Sequence, residues 1–190
     1  MIDIKEDIER AVTALKAGGL ILYPTDTVWD IGCDATRSDA VKRVYEIKRR
    51  VDHKALIVML GNADLLDRYV DEVPDAAAQL LDVAVDPLTI IYDHGRNLAP
   101  ELLGPDGSVG IRITAERVSR TLCNALRRPL VSTSANISGQ PTPRRFADIP
   151  PEIIAGVDYV IEARRYDSAE AKPSSIIKVS SDNSIKIIRK

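Results

Sequence analysis

Cysteine is scarce in this sequence, and long apolar runs are absent. Cys33 and Cys123 are too few and too isolated for a disulfide framework or a paired-cysteine metal site. We interpret both as small buried residues of a reducing compartment, with a catalytic thiol as the less favoured alternative. No run of eighteen apolar residues occurs, and the acidic N-terminus lacks the apolar segment of a signal peptide. We therefore expect a cytoplasmic protein that is neither secreted nor membrane-spanning.

A net basic charge and an abundance of aromatic residues are also missing. The 190 residues carry a formal net charge of -2, so no bulk positive field points to nucleic-acid binding, and any basic site must be local. Aromatic residues make up 4% of the chain, which argues against a stacking surface for single-stranded nucleic acid. The hydrophobic fraction of 45% and the charged fraction of 28% are ordinary for a folded domain.

Several common catalytic motifs are absent as well. The sequence contains neither a P-loop nor a dinucleotide-binding glycine fingerprint, so bound phosphates would be held by cationic side chains and hydroxyls. It also lacks the Gly-x-Ser-x-Gly turn of a serine hydrolase. His53 and His94 match no familiar zinc spacing with the cysteines, and we interpret both as solvated loop residues. We expect no metal site built from the chain itself.

Hydrophobic periodicity and turn residues predict a mixture of helices and strands. We expect helices over residues 4–16, 38–48, 62–69, 74–81 and 115–126. We expect strands over residues 20–23, 55–60, 88–92, 108–113, 130–132, 158–161, 175–179 and 184–188. Ser38 and Asn62 are the predicted N-caps of their helices, and residues 139–151 are the predicted loop beside the site. Because strands and helices do not alternate strictly, the pattern indicates an α/β or α+β domain with a mixed sheet.

Hydroxyl-bearing side chains cluster after the short apolar run near residue 130. Residues 132–139 contain four hydroxyl side chains and one carboxamide. Residues 22–28 repeat the theme, because an apolar strand leads directly into proline, threonine and aspartate. So many small hydrogen-bonding groups beside strand ends are typical of a site for a polar ligand.

Cationic residues gather at the end of the predicted second helix. They are Lys48, Arg49, Arg50, His53 and Lys54. One interpretation is a cap that complements the helix dipole, and the other is a cradle for phosphate or carboxylate. Arg112 leaves a similar choice, because a strand places its side chain either on an exposed sheet face or in a pocket.

Taken together, these segments resemble the YrdC family of threonylcarbamoyl-AMP synthases. The matching motifs follow one another from about residue 8 to the C-terminus. They are residues 23–28, residues 32–35, Lys48 to Arg50 with Lys54, Arg112, residues 132–139 and, more weakly, residues 173–177 with Arg189. The order and spacing make the match specific. The chain looks like the short form of the family, without an extra C-terminal domain.

The resemblance implies one YrdC-like domain over residues 1–190, with a twisted mixed sheet, flanking helices and a concave basic cavity. It implies that L-threonine, bicarbonate and ATP are converted to threonylcarbamoyl-adenylate and pyrophosphate. Mg2+ would arrive with ATP, and no tightly bound organic cofactor is expected. A separate transferase complex would then modify adenosine 37 of tRNA. Some family members were described as binding double-stranded RNA, so tRNA or double-stranded RNA is a further expected partner.

The resemblance also implies a role for each matched residue. The threonine-binding residues would be Thr27, Arg112, Ser134 and Ser175. The ATP-binding residues would be Arg50, Lys54, Ser108, Asn136, Arg144 and Arg189. Lys48 and Arg50 would be catalytic, because cations that hold the triphosphate offset the charge of the leaving pyrophosphate. No covalent nucleophile is required, since the carbamate of threonine attacks the α-phosphate and catalysis is positioning plus electrostatics.

The sequence departs from the family pattern at a few positions. Trp29 and Asp30 stand where Tyr-Gly is usual, and Asp30 would oppose binding if it faced the triphosphate but be harmless if it faced solvent. Asp86 interrupts a usual Pro-Gly-Pro, Ala55 replaces a frequent proline, and Met59 stands where some members have histidine. Three alternatives therefore stay open. They are a divergent paralogue, a non-catalytic RNA-binding module, and a carbamoyl-transfer domain like that of hydrogenase-maturation proteins.

Overall fold

Five α-helices and nine β-strands make up the part of the chain that the computed structural model describes, residues 3–50, 56–167 and 173–190. The helices are α1 (Ile4–Lys16), α2 (Ser38–Ile47), α3 (Asp75–Val83), α4 (Arg117–Leu126) and α5 (Pro151–Gly156). The strands are β1 (Ile21–Pro24), β2 (Trp29–Gly32), β3 (Ile57–Leu60), β4 (Leu88–Tyr92), β5 (Val109–Ile113), β6 (Leu130–Ser134), β7 (Tyr159–Val160), β8 (Ser175–Val179) and β9 (Ile185–Arg189). Short 3-10 helices occupy Ala63–Arg68, Pro100–Leu102 and Phe146–Asp148.

The strands form one mixed sheet in the order β7-β1-β2-β6-β3-β5-β4-β8-β9. Three neighbouring pairs are parallel, namely β1 with β7, β3 with β5, and β4 with β8. The other five pairs are antiparallel. The sequence-based prediction of a mixed α/β sheet without strict alternation is confirmed.

The two faces of the sheet are buried in two separate apolar clusters. Ile21 and Tyr23 of β1 pack in one cluster with apolar residues of α1 and α4. Leu20 and Leu22 belong to the other, which contains apolar residues of α2, α3 and α5. Strand alternation explains the division, because neighbouring side chains point to opposite faces of a sheet.

The ends of the helices bear out some of the predicted caps and correct one. Helix α1 has the predicted bounds, and the predicted N-cap Asn62 accepts a hydrogen bond from the Asp64 amide at 3.1 Å. The prediction that Ser38 caps α2 is wrong, because the N-cap is Arg37. The Ser38 hydroxyl instead donates to Glu101 Oε1 at 2.6 Å, which ties α2 to the Pro100–Leu102 turn.

One strand and one α-helix occur where the sequence predicts neither. Strand β2 contains Asp30 and Gly32, residues that are depleted in strands, yet it pairs with β1 on one side and β6 on the other. Gly32 lies so close to its neighbours that an added Cβ would be 2.5 Å from Tyr23 Cε1. Helix α5 begins at Pro151, where only a loop is predicted; proline suits the first turn of a helix because that turn needs no amide donor.

Within the described ranges, no helix has both the length and the apolar character that crossing a lipid bilayer requires.

Candidate functional site

A cavity of about 290 Å3 opens among six strands of the sheet, and we call it the central cavity. Its volume is near the lower end of the range for small-ligand sites, which begins at roughly 300 Å3. The polar residues of its lining are Thr27, Asp30, Arg50, Arg112, Ser132, Thr133, Ser134, Thr142, Ser174 and Arg189. This lining combines three arginines with many hydroxyl groups, so it suits a polar ligand that carries negative charge.

Five of the residues predicted from the sequence meet in this lining. They are Thr27, Arg50, Arg112, Ser134 and Arg189. They come from segments far apart in sequence, and the sheet order explains their meeting, because β2, β6, β3 and β5 are consecutive neighbours. The hydroxyl-rich segment and Arg50 of the cationic cluster therefore belong to one site.

Arg112 lies at the buried end of the cavity and is 3% exposed. Its Nη1 donates to Thr27 Oγ1 at 2.9 Å, and its Nη2 donates to Ser132 Oγ at 3.0 Å. Of the two alternatives that the sequence leaves open for this arginine, the structure selects the pocket. Thr27 and Ser132 hold the guanidinium in a fixed orientation.

Two carboxylates flank the same guanidinium. Asp30 Oδ2 is 3.5 Å from Arg112 Nη2, and Asp26 Oδ1 is 3.6 Å from Arg112 Nε. Arg112 Nε and Asp26 Oδ1 are both buried without a hydrogen-bond partner. Burial raises the pKa of Asp30 and of Asp26, although the positive charge of Arg112 acts against that rise. A buried group with a shifted pKa in a cleft is a candidate functional residue.

Asp30 does not face solvent, which is one of the two orientations considered from the sequence alone. It is 3% exposed, lines the central cavity, and accepts a short hydrogen bond from the Ser132 hydroxyl. It points at Arg112 instead of at solvent. Opposite it on the neighbouring strand lies Ser134, its register partner in β6.

Lys48 lies behind the lining and is 3% exposed. Its ammonium donates to the main-chain oxygen atoms of Ser134 and Asn136, the latter at 2.9 Å, and lies 3.4 Å from Asn136 Oδ1. Burial lowers the pKa of Lys48 to about 8, while the negative charge of Asp30 acts in the opposite direction. Because the ammonium is directed at the loop after β6, Lys48 positions that loop, and its role in holding a triphosphate stays a prediction.

Asn136 is also absent from the lining, although its neighbour Ser134 is present there. Its Oδ1 accepts from the Ser134 hydroxyl at 2.6 Å, and its Nδ2 donates to the Gln140 carbonyl at 2.7 Å. Strand β6 ends at Ser134, and the Asn136 amide turns back to the Ser134 carbonyl at 2.8 Å. The chain is therefore not extended after Ser134, and the Asn136 side chain braces the loop instead of lining the cavity.

Four further predicted residues lie elsewhere. Ser108 precedes β5 and donates to Asp106 Oδ1 at 2.5 Å, at the end of the strand opposite to Arg112. Ser175 is outside the lining, whereas its neighbours Ser174 and Ile176 contribute to it, as strand alternation requires. Arg144 lines a different cavity. Lys54 lies outside the described residues, and its role stays a prediction.

The cavity that contains Arg144 has a volume of about 260 Å3, and we call it the second cavity. Its charged lining residues are Asp26, Glu116, Arg144, Arg145, Arg164 and Asp167. Two of its arginines are paired with acids, since Arg164 contacts Glu116 at 3.2 Å and Arg145 contacts Asp148 at 2.9 Å. Thr27 and Val28 belong to both cavities, so the β1–β2 connection separates them.

Five polar residues of the central cavity are not among the site residues predicted from the sequence. They are Asp30, Ser132, Thr133, Thr142 and Ser174. A signal was present for Ser132, because it lies two residues from Ser134 on a strand and so shares its face. Within the residues that the structure describes, no group of three or more metal-ligating side chains occurs.

Comparison with known proteins identifies relatives over most of the chain. The family model for Sua5, YciO and YrdC proteins, described as "Telomere recombination", matches residues 13–190. A protein of Xanthomonas axonopodis pv. citri (strain 306), named "Threonylcarbamoyl-AMP synthase", is 38% identical over 173 residues, which cover 90% of this chain and 91% of that protein.

Solved structures agree with this relationship. Sua5 of P. abyssi, in a crystal structure described as complexed with L-threonine, superposes with a TM-score of 0.80 at 26% identity, covering 94% of this chain and 52% of that one. The chain thus spans about half the length of that Sua5. YciO of E. coli has the same fold, with a TM-score of 0.84 at 24% identity over 100% of this chain and 91% of that one. The chain belongs to the Sua5/YciO/YrdC family.

Proposed function

We propose that this protein is a threonylcarbamoyl-AMP synthase, a nucleotidyltransferase that converts L-threonine, bicarbonate and ATP to threonylcarbamoyl-adenylate, pyrophosphate and water. The observation that carries the proposal is the meeting of Thr27, Arg50, Arg112, Ser134 and Arg189 in one cavity. Relatives named for this activity, 36–38% identical over about nine tenths of the chain, support it.

The buried end of the central cavity is the proposed threonine site. Arg112 offers a guanidinium already oriented by Thr27 and Ser132, and such a fixed fork suits a carboxylate. Ser134 lies on the same wall and supplies a hydroxyl for the polar groups of the substrate. Because this region is largely closed to solvent, charge interactions there are stronger than in water.

Arg50 and Arg189 are the proposed contacts of the ATP phosphates. Both line the central cavity, and the Arg189 guanidinium is held by the Ser174 carbonyl, which accepts from Nη2 at 2.8 Å. In the reaction, a carbamate oxygen of the substrate attacks the α-phosphorus and pyrophosphate leaves. The arginines then stabilise the charge that develops on the phosphate oxygens, so catalysis rests on positioning and electrostatics.

Other groups complete the proposed reaction. Lys48 and Asn136 shape the loop that presents Ser134, and Mg2+ enters as the ATP complex. A separate transferase complex would pass the threonylcarbamoyl group to adenosine 37 of tRNA, and the cytoplasm is the proposed compartment for both. Direct binding of tRNA or double-stranded RNA to this chain stays a prediction.

Threonine-dependent release of pyrophosphate is the direct test. The purified protein is incubated with ATP, Mg2+, bicarbonate and L-threonine, and threonylcarbamoyl-adenylate is identified by mass spectrometry. Parallel reactions omit threonine or bicarbonate in turn. Pyrophosphate and product should appear only in the complete mixture. If threonine has no effect on pyrophosphate release while a known synthase is active in the same assay, the proposed function is wrong.

A further inference from the structure

The buried carboxylate of Asp30 is only loosely paired with a cation. Its contact with Arg112 Nη2, at 3.5 Å, is at the outer limit of a hydrogen bond. Lys48 is near enough to lower the pKa of Asp30, yet its ammonium donates to the loop carbonyls. Burying a carboxylate is costly unless a cation or several donors compensate it. The site therefore has a place for one more positive group beside Asp30.

The free side of that carboxylate belongs to the central cavity. Ser132 and Arg112 both approach Oδ2, and no described residue donates a hydrogen bond to Oδ1. Asp30 is also the only acidic residue among the described residues that line this cavity. A cationic group that enters the cavity thus has one carboxylate to meet.

Arg112 and Asp30 are adjacent groups of opposite charge on neighbouring parts of one wall. An α-amino acid carries the complementary pair, a carboxylate and an ammonium joined through one carbon atom. When an amino acid lies against this wall, its carboxylate can contact the Arg112 guanidinium while its ammonium contacts Asp30. Each charge of the ligand then faces an opposite charge at close range in a water-poor site.

We propose that Asp30 binds the ammonium of the amino-acid substrate, so that the Arg112–Asp30 pair selects ligands that carry both charges. This inference rests on the proposed function, because it concerns the threonine site of that reaction. It makes Asp30 a specificity-determining residue. A carboxylic acid without an amine would bring its negative charge close to Asp30 and would have no positive group to offset the repulsion.

Comparing two ligands measures how much the amine of threonine contributes to binding. (R)-3-hydroxybutyrate is L-threonine without its amino group, and calorimetry without ATP measures the affinity of each. The wild-type protein should bind threonine about 10- to 100-fold more tightly, the range for a hydrogen bond between charged groups. In Asp30→Asn the ratio of the threonine affinity to the 3-hydroxybutyrate affinity should fall to within a few-fold of one. The affinity for 3-hydroxybutyrate should rise.

Asp26→Asn is the matched control. Asp26 lies as close to Arg112 as Asp30 does, at 3.6 Å, but it lines other cavities. Its removal also changes the charge around the guanidinium, yet the ratio of the two affinities should stay at the wild-type value. Circular dichroism checks that both variants are folded.

The inference is overturned by an unchanged ratio in folded Asp30→Asn. It is also overturned, without any variant, if the wild-type protein binds the two ligands equally. Neither outcome depends on pyrophosphate release, so a failure here is distinct from a failure of the proposed function. Conversely, an inactive protein that still requires the amine for binding would overturn the synthase activity alone.

Discussion

The ammonium nitrogen of Lys48 lies 2.9 Å from the main-chain oxygen of Asn136, and neither residue lines the central cavity. The lysine follows α2, whereas Asn136 follows β6, so this contact joins a helix end to the loop after a strand. The same ammonium also reaches the carbonyl of Ser134, whose hydroxyl does face the cavity. The position of Ser134 therefore depends on a cation that lies outside the cavity lining.

Replacement of Lys48 should lower stability and activity together. Lys48→Met removes the donor of the buried Asn136 carbonyl and one of the two donors of the Ser134 carbonyl, which costs about 2 kcal/mol of unfolding free energy. Urea unfolding measures this loss. Lys42→Met, on the exposed part of α2 with a side chain 63% accessible, is the control and should change stability by less than about 1 kcal/mol. A Lys48 variant as stable as the wild type would contradict the positioning role.

Replacement of Arg50 should lower activity alone. Arg50→Ala removes a proposed phosphate contact and no buried apolar volume, so turnover should drop by at least about 100-fold. The melting temperature should stay close to that of the wild type. Arg49→Ala is the neighbouring control, because Arg49 is directed to Glu152 at 2.6 Å and is outside the lining. Wild-type turnover in Arg50→Ala would place the phosphate site elsewhere.

Gly32 should not tolerate a side chain. In Gly32→Ala the new Cβ would lie 2.5 Å from Tyr23 Cε1 and 2.9 Å from the Val131 carbonyl oxygen. Tyr23 cannot move away easily, because it is fully buried and its hydroxyl donates to that same carbonyl. We expect a loss of about 1–3 kcal/mol in chemical unfolding.

Gly110→Ala serves as the comparison for that substitution. Its added Cβ would meet nothing nearer than Thr89 Cγ2 at 3.6 Å, an ordinary contact distance. Its stability should stay within about 1 kcal/mol of the wild type. Equal losses in the two variants would show that close packing at Gly32 is not the cause.

The stability contributed by Asp106 should depend on pH. Hydrogen bonds from the Ser108 side chain and amide, together with the nearby Lys178, lower the pKa of Asp106 to about 2. Because the folded-state pKa is below the unfolded one, the contribution is present above about pH 4 and is lost as the pH falls towards 2. The contribution is at most about 1 kcal/mol, since the residue is exposed.

Urea unfolding of Asp106→Asn and wild type at several pH values measures that contribution. The difference between the two should be largest near neutral pH and shrink below about pH 4. Asp86→Asn, another exposed aspartate, controls for the general effect of removing one negative charge. A difference that stays constant across the range would contradict the predicted dependence.

Periodicity and turn residues were enough to predict most of the fold. Helix α1 and strand β8 have the predicted bounds, because their apolar spacing and flanking residues are strong local signals. Strand β2 has no such signal. It forms because β1 and β6 offer hydrogen bonds on both sides, and tertiary context of this kind overrides local preference.

The sequence predicts which residues belong to the site, but not which way all of their side chains point. Arg112 and Thr27 emerge from motif order, and the structure joins them through a hydrogen bond. The sequence does not show which way Asn136 or Lys48 points, since that depends on where β6 ends and how the chain turns after it. The pairing of Asp30 with Arg112 spans 82 residues, and no local pattern indicates it.

The β1–β2 connection is a partition with a cavity on each face, because Thr27 and Val28 contribute to both linings. A ligand on one face that displaces this partition changes the volume and the wall chemistry on the other. Thermodynamic linkage then requires the effect to be mutual: whatever factor the first ligand imposes on the affinity of the second, the second imposes on the first. The two cavities therefore share one wall, so a substitution at Thr27 or Val28 alters the lining of both at once.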